Sequence, residues 1–306
     1  MKRDLLSILD LSREEILELF HLTRRLKERW KAGRVETVLQ GKTLGLLFEK
    51  PSTRTRVSFE VAVYQLGGSC IYLTAGDTQL SRDETPEDTA RVLARYLDIL
   101  AVRTYRQEWL ENMARSSRRP VINALTDRFH PCQVLSDVYT VFERRGSLDG
   151  LRAAWVGDGN NVAHSWINAA ARLGFELTLA CPEGYDPDPE ILGSARRENP
   201  SIRIVRDPKE AVKGCHVINT DVWVSMGQED EAEARLKAFR AYQVNPELVA
   251  HALPDVMVLH CLPAHRGQEI TADFLDDPEA VVWDQAENKM HVHKAILLKL
   301  SGGEID

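Results

Sequence analysis

The sequence predicts an α/β protein of two domains, each a parallel sheet with helices on both faces, and a C-terminal helix packing back on the first domain. Three observations predict the two sheets. The chain has 306 residues, room for two cores at about 150 residues each. Short continuous apolar runs of strand length alternate with amphipathic helical stretches, the pattern of strands buried on both sides. That alternation pauses at 146–152 (G-S-L-D-G-L-R) and then restarts. The expected domains are therefore residues 1–147 and 148–287, with 288–306 as the returning helix.

Each element follows from a local signal. Ser12 and Glu15 form a capping box, after which Ile16, Leu19, Phe20, Leu26 and Trp30 recur at helical spacing until Gly33, with Thr23 a polar gap. The run T-L-G-L-L-F at 43–48 is too short for a helix and reads as a buried strand. A helix over 53–66 is closed by Gly67 and Gly68, and a strand at 70–73 follows. Helices at 86–97, 107–116 and 133–145 then alternate with strands at 99–104 and 121–125. In the second half, strands are expected at 153–157, 176–181, 202–205, 216–220, 256–261 and 280–283. Helices are expected at 162–173, near 188–198 and from about Asn288 onward.

Composition narrows the function. Lys plus Arg number 39 and Asp plus Glu 46, a net charge of −7 that disfavours nucleic acid or an anionic membrane as the main partner. No apolar run reaches the ~18 residues of a membrane span. Asp4 and Asp10 interrupt the apolar start as a signal-peptide core would not allow, so a cytoplasmic protein is expected. Cys70, Cys132, Cys181, Cys215 and Cys261 form no C-x-x-C pair and read as free thiols in a reducing compartment.

Ligands of open parallel sheets sit beyond the carboxyl ends of the strands, and the polar oddities of this chain fall there. After the first strand comes P-S-T-R-T-R, where Ser52, Thr53, Arg54, Thr55 and Arg56 open a helix. Hydroxyls, two arginines and free N–H groups at a helix start suit a phosphate, although Ser and Thr are also ordinary caps. Arg103, His130 and Gln133 follow later strands and are expected to converge with that loop on one oxyanion. In the second half, V-G-D-G-N-N-V only faintly matches a dinucleotide fingerprint, since Val162 replaces the third glycine and no acidic residue ends the next strand. A nicotinamide oxidoreductase is thus disfavoured. Cys215 and His216 are adjacent and His291 and His293 lie two apart, so neither pair suits a metal, and no metal or cofactor is expected. No G-x-S-x-G elbow or serine triad is visible. Asp221, Ser225, Met226 and Cys261 stand at later strand ends, where Asp221 also suits a turn and Met226 a core gap.

Taken together, S-T-R-T-R at 52–56, H-P-C-Q at 130–133, D-V-W-V-S-M-G at 221–227 and H-C-L-P at 260–263 resemble, in order and spacing, the aspartate/ornithine carbamoyltransferase family. The cysteine of H-C-L-P, where the aspartate enzymes have proline, and the S-M-G loop favour ornithine as acceptor. The resemblance covers nearly the whole chain. It implies that Ser52, Thr53, Arg54 and Thr55 hold the phosphate of carbamoyl phosphate, and that Arg103, His130 and Gln133 take its carbonyl oxygen, amide and remaining oxygens. It implies a homotrimer, or a multiple of trimers, with active sites at subunit interfaces and Gln79 reaching in from a neighbour. Asn161 and Met226 are expected on the α-carboxylate of ornithine, Asp221 and Ser225 on its α-amino group, and Cys261 with the Leu262 carbonyl beside the reacting groups. One position departs: the family reads E-N-R before its last helix, and this chain reads E-N-K, so Lys289 keeps the charge and loses the fork. The implied reaction is direct attack of the δ-amine, without a covalent enzyme intermediate. The rival readings are carbamoyl transfer to putrescine or an acylated ornithine, and a non-catalytic phosphate-binding relative.

Overall fold

The computed structural model describes residues 3–74, 76, 78, 84–225, 227–278 and 280–305. The chain divides into two compact units, Met1–Ser136 with Asn288–Asp306, and Asp137–Glu287.

The first unit is built on four strands, β1 (Thr43–Phe48), β2 (Ser69–Thr74), β3 (Ile99–Arg103) and β4 (Val121–Leu125). They pair in parallel in the order β2-β1-β3-β4. The central strands are buried from Leu44 to Phe48 and from Ile99 to Arg103, as strands covered on both faces must be. Before β1 comes α1 (Arg13–Lys31), between the strands run α2 (Thr53–Gln65), α3 (Pro86–Tyr96) and α4 (Gln107–Ser116), and after β4 comes α5 (Pro131–Arg145). The capping box of α1 is present, with Glu15 N–H donating to Ser12 Oγ at 3.2 Å and Ser12 N–H to Glu15 Oε2 at 2.9 Å. Thr23, the polar gap in the stripe, is buried because its hydroxyl donates to Leu19 O at 2.7 Å. Trp30 departs from the expected stripe and is 41% exposed. The first crossing between units lies inside α5, and residues 146–151 form the connection that follows it.

The second unit holds β5 (Arg152–Val156), α6 (Asn161–Leu173), β6 (Glu176–Ala180), α7 (Pro189–Glu198), β7 (Ile202–Val205), α8 (Pro208–Val212), β8 (Val217–Thr220), α9 (Ala232–Phe239), α10 (Pro246–Val249) and β9 (Met257–His260). Its sheet is parallel in the order β7-β6-β5-β8-β9. α6 ends where Gly174 takes a left-handed φ of 76°, the conformation that stops a helix at little cost in glycine. The short helices α8, α9 and α10 were not legible as helical periods.

The last helix, α11, spans Val281–Ser301, so the strand expected at 280–283 is instead its first turn. A short apolar run does not discriminate strand from helix, and the next residues decide it. Val282, Gln285, Asn288 and Lys289 are buried at helical spacing. The part from Asn288 onward belongs to the first unit, where Lys27 Nζ donates to Asn288 Oδ1 at 2.7 Å.

In both sheets the strand order reverses at one place, between β1 and β3 in the first unit and between β5 and β8 in the second. The loops after those strands diverge to opposite sides and leave a crevice for a ligand.

Candidate active site

In the first unit the loop after β1 leads straight into α2. Ser52 caps that helix, its Oγ accepting from Thr55 N–H at 3.3 Å, so the opening N–H groups and the positive end of the helix dipole face whatever follows β1. Thr53 and Arg54 are exposed there. Arg56 is not part of an anion site: it pairs with Glu60 at 2.9 Å and lies 3.7 Å over the Tyr72 ring. An arginine at i+2 on a helix points away from its neighbour, which the linear spacing concealed.

The other donors come from three more elements. Arg103 ends β3 beside Phe48 of β1, His130 ends the loop after β4, and Gln133 opens α5; all three are buried. From α11, Lys289 Nζ donates to Gln133 Oε1 at 2.8 Å and to Thr55 Oγ1 at 3.1 Å. Burial pushes the His130 pKa well below its ordinary value, and the nearby charges of Lys289 and Arg103 push it further. His130 is therefore a neutral imidazole, which supplies one N–H without adding a third charge. Lys50 stitches the loops together, pairing with Asp127 after β4 and lying 4.1 Å over the Tyr105 ring after β3. Only through-space proximity reveals that role. Gln79 lies outside the described residues.

In the second unit Asp221 follows β8 and is 7% exposed. Its Oδ2 accepts from Asn160 Nδ2 at 2.9 Å, and its Oδ1 from Val222 N–H at 2.8 Å and Cys261 Sγ at 3.0 Å. Each of these described partners is a neutral donor, an arrangement that suits a carboxylate facing an incoming cation. The link to Asn160 was missed. Its signal is the D-G-N-N stretch, where the first asparagine caps α6 through Oδ1 and its amide is left to donate. Asn161 opens α6, half-buried, and Ser225 is half-buried with its N–H donating to Gln228 Oε1 at 3.0 Å. Met226 lies outside the described residues.

Cys261 and Leu262 follow β9, and two residues hold them. His260 Nδ1 accepts from Leu262 N–H at 2.8 Å, so the ring proton sits on Nε2 and donates to Glu269 Oε1 at 3.0 Å. Both side chains are wholly buried. Leu262 has φ 57°, the one non-glycine residue at positive φ among those described, a conformation kept only where surroundings impose it. Asp221, His260 and Cys261 each bring a potential ligand atom within 4.8 Å of the others. Those atoms are engaged in the hydrogen bonds just given.

A buried ion pair fastens the loops after β5 and β8. Arg235 of α9 pairs with Asp158, donates from Nε to Trp223 O at 2.6 Å and lies over the Tyr185 ring at 4.8 Å. Burial raises the Asp158 pKa to about 6 despite Arg235, helped by Asp221 and Glu231.

Comparison with known proteins adds to this geometry. Residues 3–143 match the carbamoyl-P binding domain of aspartate/ornithine carbamoyltransferases, and residues 149–300 match the Asp/Orn binding domain. The chain is 56% identical over 303 residues to ornithine carbamoyltransferase of Desulfotalea psychrophila, covering 99% of this chain and 100% of the relative. It is 50% identical to the solved ornithine carbamoyltransferase of Pyrococcus furiosus, with a TM-score of 0.95 over 99% of this chain and 98% of that one. The anabolic enzyme of Campylobacter jejuni superposes with a TM-score of 0.93 at 39% identity, over 98% of this chain and 99% of that one.

Proposed function

Because the chain belongs to the aspartate/ornithine carbamoyltransferase family, we propose that each buried cluster holds one substrate of a single carbamoyl transfer. The enzyme moves the carbamoyl group of carbamoyl phosphate onto the δ-amine of L-ornithine, giving L-citrulline and phosphate. The amine lone pair attacks the carbonyl carbon. A C–N bond forms, the bond from that carbon to the phosphate oxygen breaks, and the amine proton passes to the departing phosphate. No protein nucleophile takes part, so the chain contributes positioning and fixed charge.

In this reading Ser52, Thr53, Arg54 and Thr55 receive the phosphate, with the α2 dipole behind them. Arg103, neutral His130 and Gln133 donate to the carbonyl and remaining oxygens as negative charge grows there. Lys289 adds a point charge where the family has a guanidinium. Asp221 with Ser225 takes the α-ammonium of ornithine, Asn161 its α-carboxylate, and Cys261 with the Leu262 carbonyl flanks the δ-amine. The observation that carries the assignment is the Asp221 carboxylate, buried and held, among the described residues, by the neutral donors of Asn160, Val222 and Cys261. Such a group attracts an ammonium and repels a dicarboxylate.

A citrulline-type assay against an amine panel tests it. Ornithine is expected to be turned over, with putrescine and N-acetylornithine each slower by at least about a hundredfold, because each lacks a charge that the site pairs. The rate with ornithine should climb as pH rises from 7, since the amine must first lose a proton with a pKa near ~10.4. Equal turnover of putrescine or N-acetylornithine would overturn the substrate, and no turnover of any amine would favour a non-catalytic relative.

We further propose a homotrimer. Val57 and Tyr64 on α2 and Ile71 on the edge strand β2 are 48%, 78% and 47% exposed, an apolar face on a sheet edge that a second copy would cover. Light scattering should give three times the 34.6 kDa chain mass, and a monomer would refute it. The free thiols Cys70, Cys132, Cys181, Cys215 and Cys261 support a cytoplasmic location. No described helix is long and apolar enough to cross a membrane.

A further inference from the structure

We propose that His293 is a positioning residue of the carbamoyl phosphate cluster, fixing Thr55 and, through Thr55, the ammonium of Lys289. The proposal rests on the carbamoyltransferase reading above and concerns a residue to which that reading gives no role.

His293 lies on α11 four residues after Lys289, on the same face of the helix, and is wholly buried. Its Nδ1 is 3.1 Å from Ser58 Oγ, and that hydroxyl donates its only proton to Thr55 O at 3.1 Å. The proton between His293 and Ser58 therefore belongs to Nδ1, which donates to the serine oxygen. The ring is stacked on Phe59 at 3.6 Å and 9°, so it has no freedom to turn away. Nε2 carries the lone pair; it is buried and has no hydrogen-bond partner among the described residues. A proton there would place an unsolvated cation beside Lys289, and burial with that charge holds the His293 pKa well below the ordinary value. The ring is neutral in one tautomer.

Thr55 is thus held at both ends by one helix. Lys289 donates to its hydroxyl, and His293, through Ser58, fixes its carbonyl. This matters more with lysine than with arginine. A guanidinium carries its own planar geometry, whereas an ammonium on a flexible stem points where its acceptors lie. Those acceptors are Thr55 Oγ1 and Gln133 Oε1. Releasing Thr55 would let the charge drift from the phosphate-binding turn.

The test uses the full-length enzyme with three variants, His293→Leu, His293→Gln and Ser58→Ala. KM is measured for each substrate, together with the inhibition constant of inorganic phosphate. His293→Leu and Ser58→Ala are each expected to raise KM for carbamoyl phosphate and the phosphate inhibition constant about tenfold, the scale of one lost buried hydrogen bond. KM for ornithine should stay within twofold. His293→Gln, which keeps an N–H donor, should recover at least half of the loss. The double variant His293→Leu/Ser58→Ala should be no worse than either single, because both remove one chain of bonds. A silent Ser58→Ala, additive losses in the double variant, or equal losses for both substrates would show that His293 only fills space. Wild-type enzyme without citrulline formation would instead overturn the underlying carbamoyltransferase reading, a separate and earlier failure.

Discussion

Asp221→Ala is expected to cut kcat/KM for ornithine by about a thousandfold while carbamoyl phosphate affinity stays within threefold of wild type. Removing one partner of a buried, hydrogen-bonded charge pair costs about 3–5 kcal/mol. Here the lost partner is the carboxylate proposed to meet the α-ammonium. The change also strands Asn160 Nδ2 and the Cys261 thiol, both of which donate to Asp221 at 2.9–3.0 Å. Asp221→Asn removes the charge at nearly constant volume. Its one oxygen can accept from Val222 N–H and the Cys261 thiol while its amide faces the Asn160 Nδ2 donor, so its loss combines the missing charge with one unmet donor. Steady-state kinetics with both substrates varied checks both variants, and ornithine constants unchanged in either would remove Asp221 from the recognition of that substrate.

Arg54→Gly should abolish measurable carbamoyl phosphate binding. A guanidinium donating to a phosphate makes charge-assisted, often paired bonds, and losing such a group costs about 3–4 kcal/mol, a few hundredfold in affinity. The fold should survive. Arg54 is exposed and makes no hydrogen bond or ion pair among the described residues, so no described contact is lost with it. Glycine in the first turn of α2 costs about 1 kcal/mol of helix propensity at most. Calorimetry should show heat of binding vanish with unfolding temperature nearly unchanged, and Arg54→Gln should behave alike, since an amide supplies neither charge nor fork. Near-normal affinity in both variants would refute the assignment.

These two residues were legible in the sequence for a topological reason. In a parallel sheet every strand ends on the same side, so a polar stretch directly after an apolar run is already placed in the ligand crevice. That logic located Arg54 after β1, Arg103 at the end of β3, His130 after β4, Asp221 after β8 and Cys261 after β9. The strands themselves were legible because two-sided burial writes them as unbroken apolar runs. The same rule misread 280–283, where Val281 and Val282 open a helix whose buried face continues through Gln285 and Lys289. It also credited Arg56 with an anion, when a helical neighbour, Glu60, holds it.

What the sequence did not reveal is the set of partners that joins distant segments. Glu269 reaches His260, Arg235 reaches Asp158, Lys50 reaches Asp127 and His293 reaches Ser58. None of these pairs has a linear signature, because each depends on how loops and helices stack rather than on spacing along one element. His293 was read only as a poor metal ligand, two residues from His291. The structure places the two rings in different surroundings, His291 with its ring centroid 5.2 Å from that of Trp30 and His293 on Phe59. Lys289 gained a definite place. Its ammonium bridges α2 and α5 through Thr55 and Gln133, which gives the substituted charge two fixed acceptors in place of a fork.

The proposed chemistry divides labour: residues of the first unit grip the acyl phosphate, and a carboxylate of the second admits the diamino acid. Titrating Arg54→Gly and Asp221→Ala against each substrate separately tests it most directly. A crossed pattern is expected, in which the first variant loses carbamoyl phosphate affinity by at least about a hundredfold and the second loses ornithine recognition, each leaving the other ligand within threefold. Parallel losses of both ligands in both variants would contradict it.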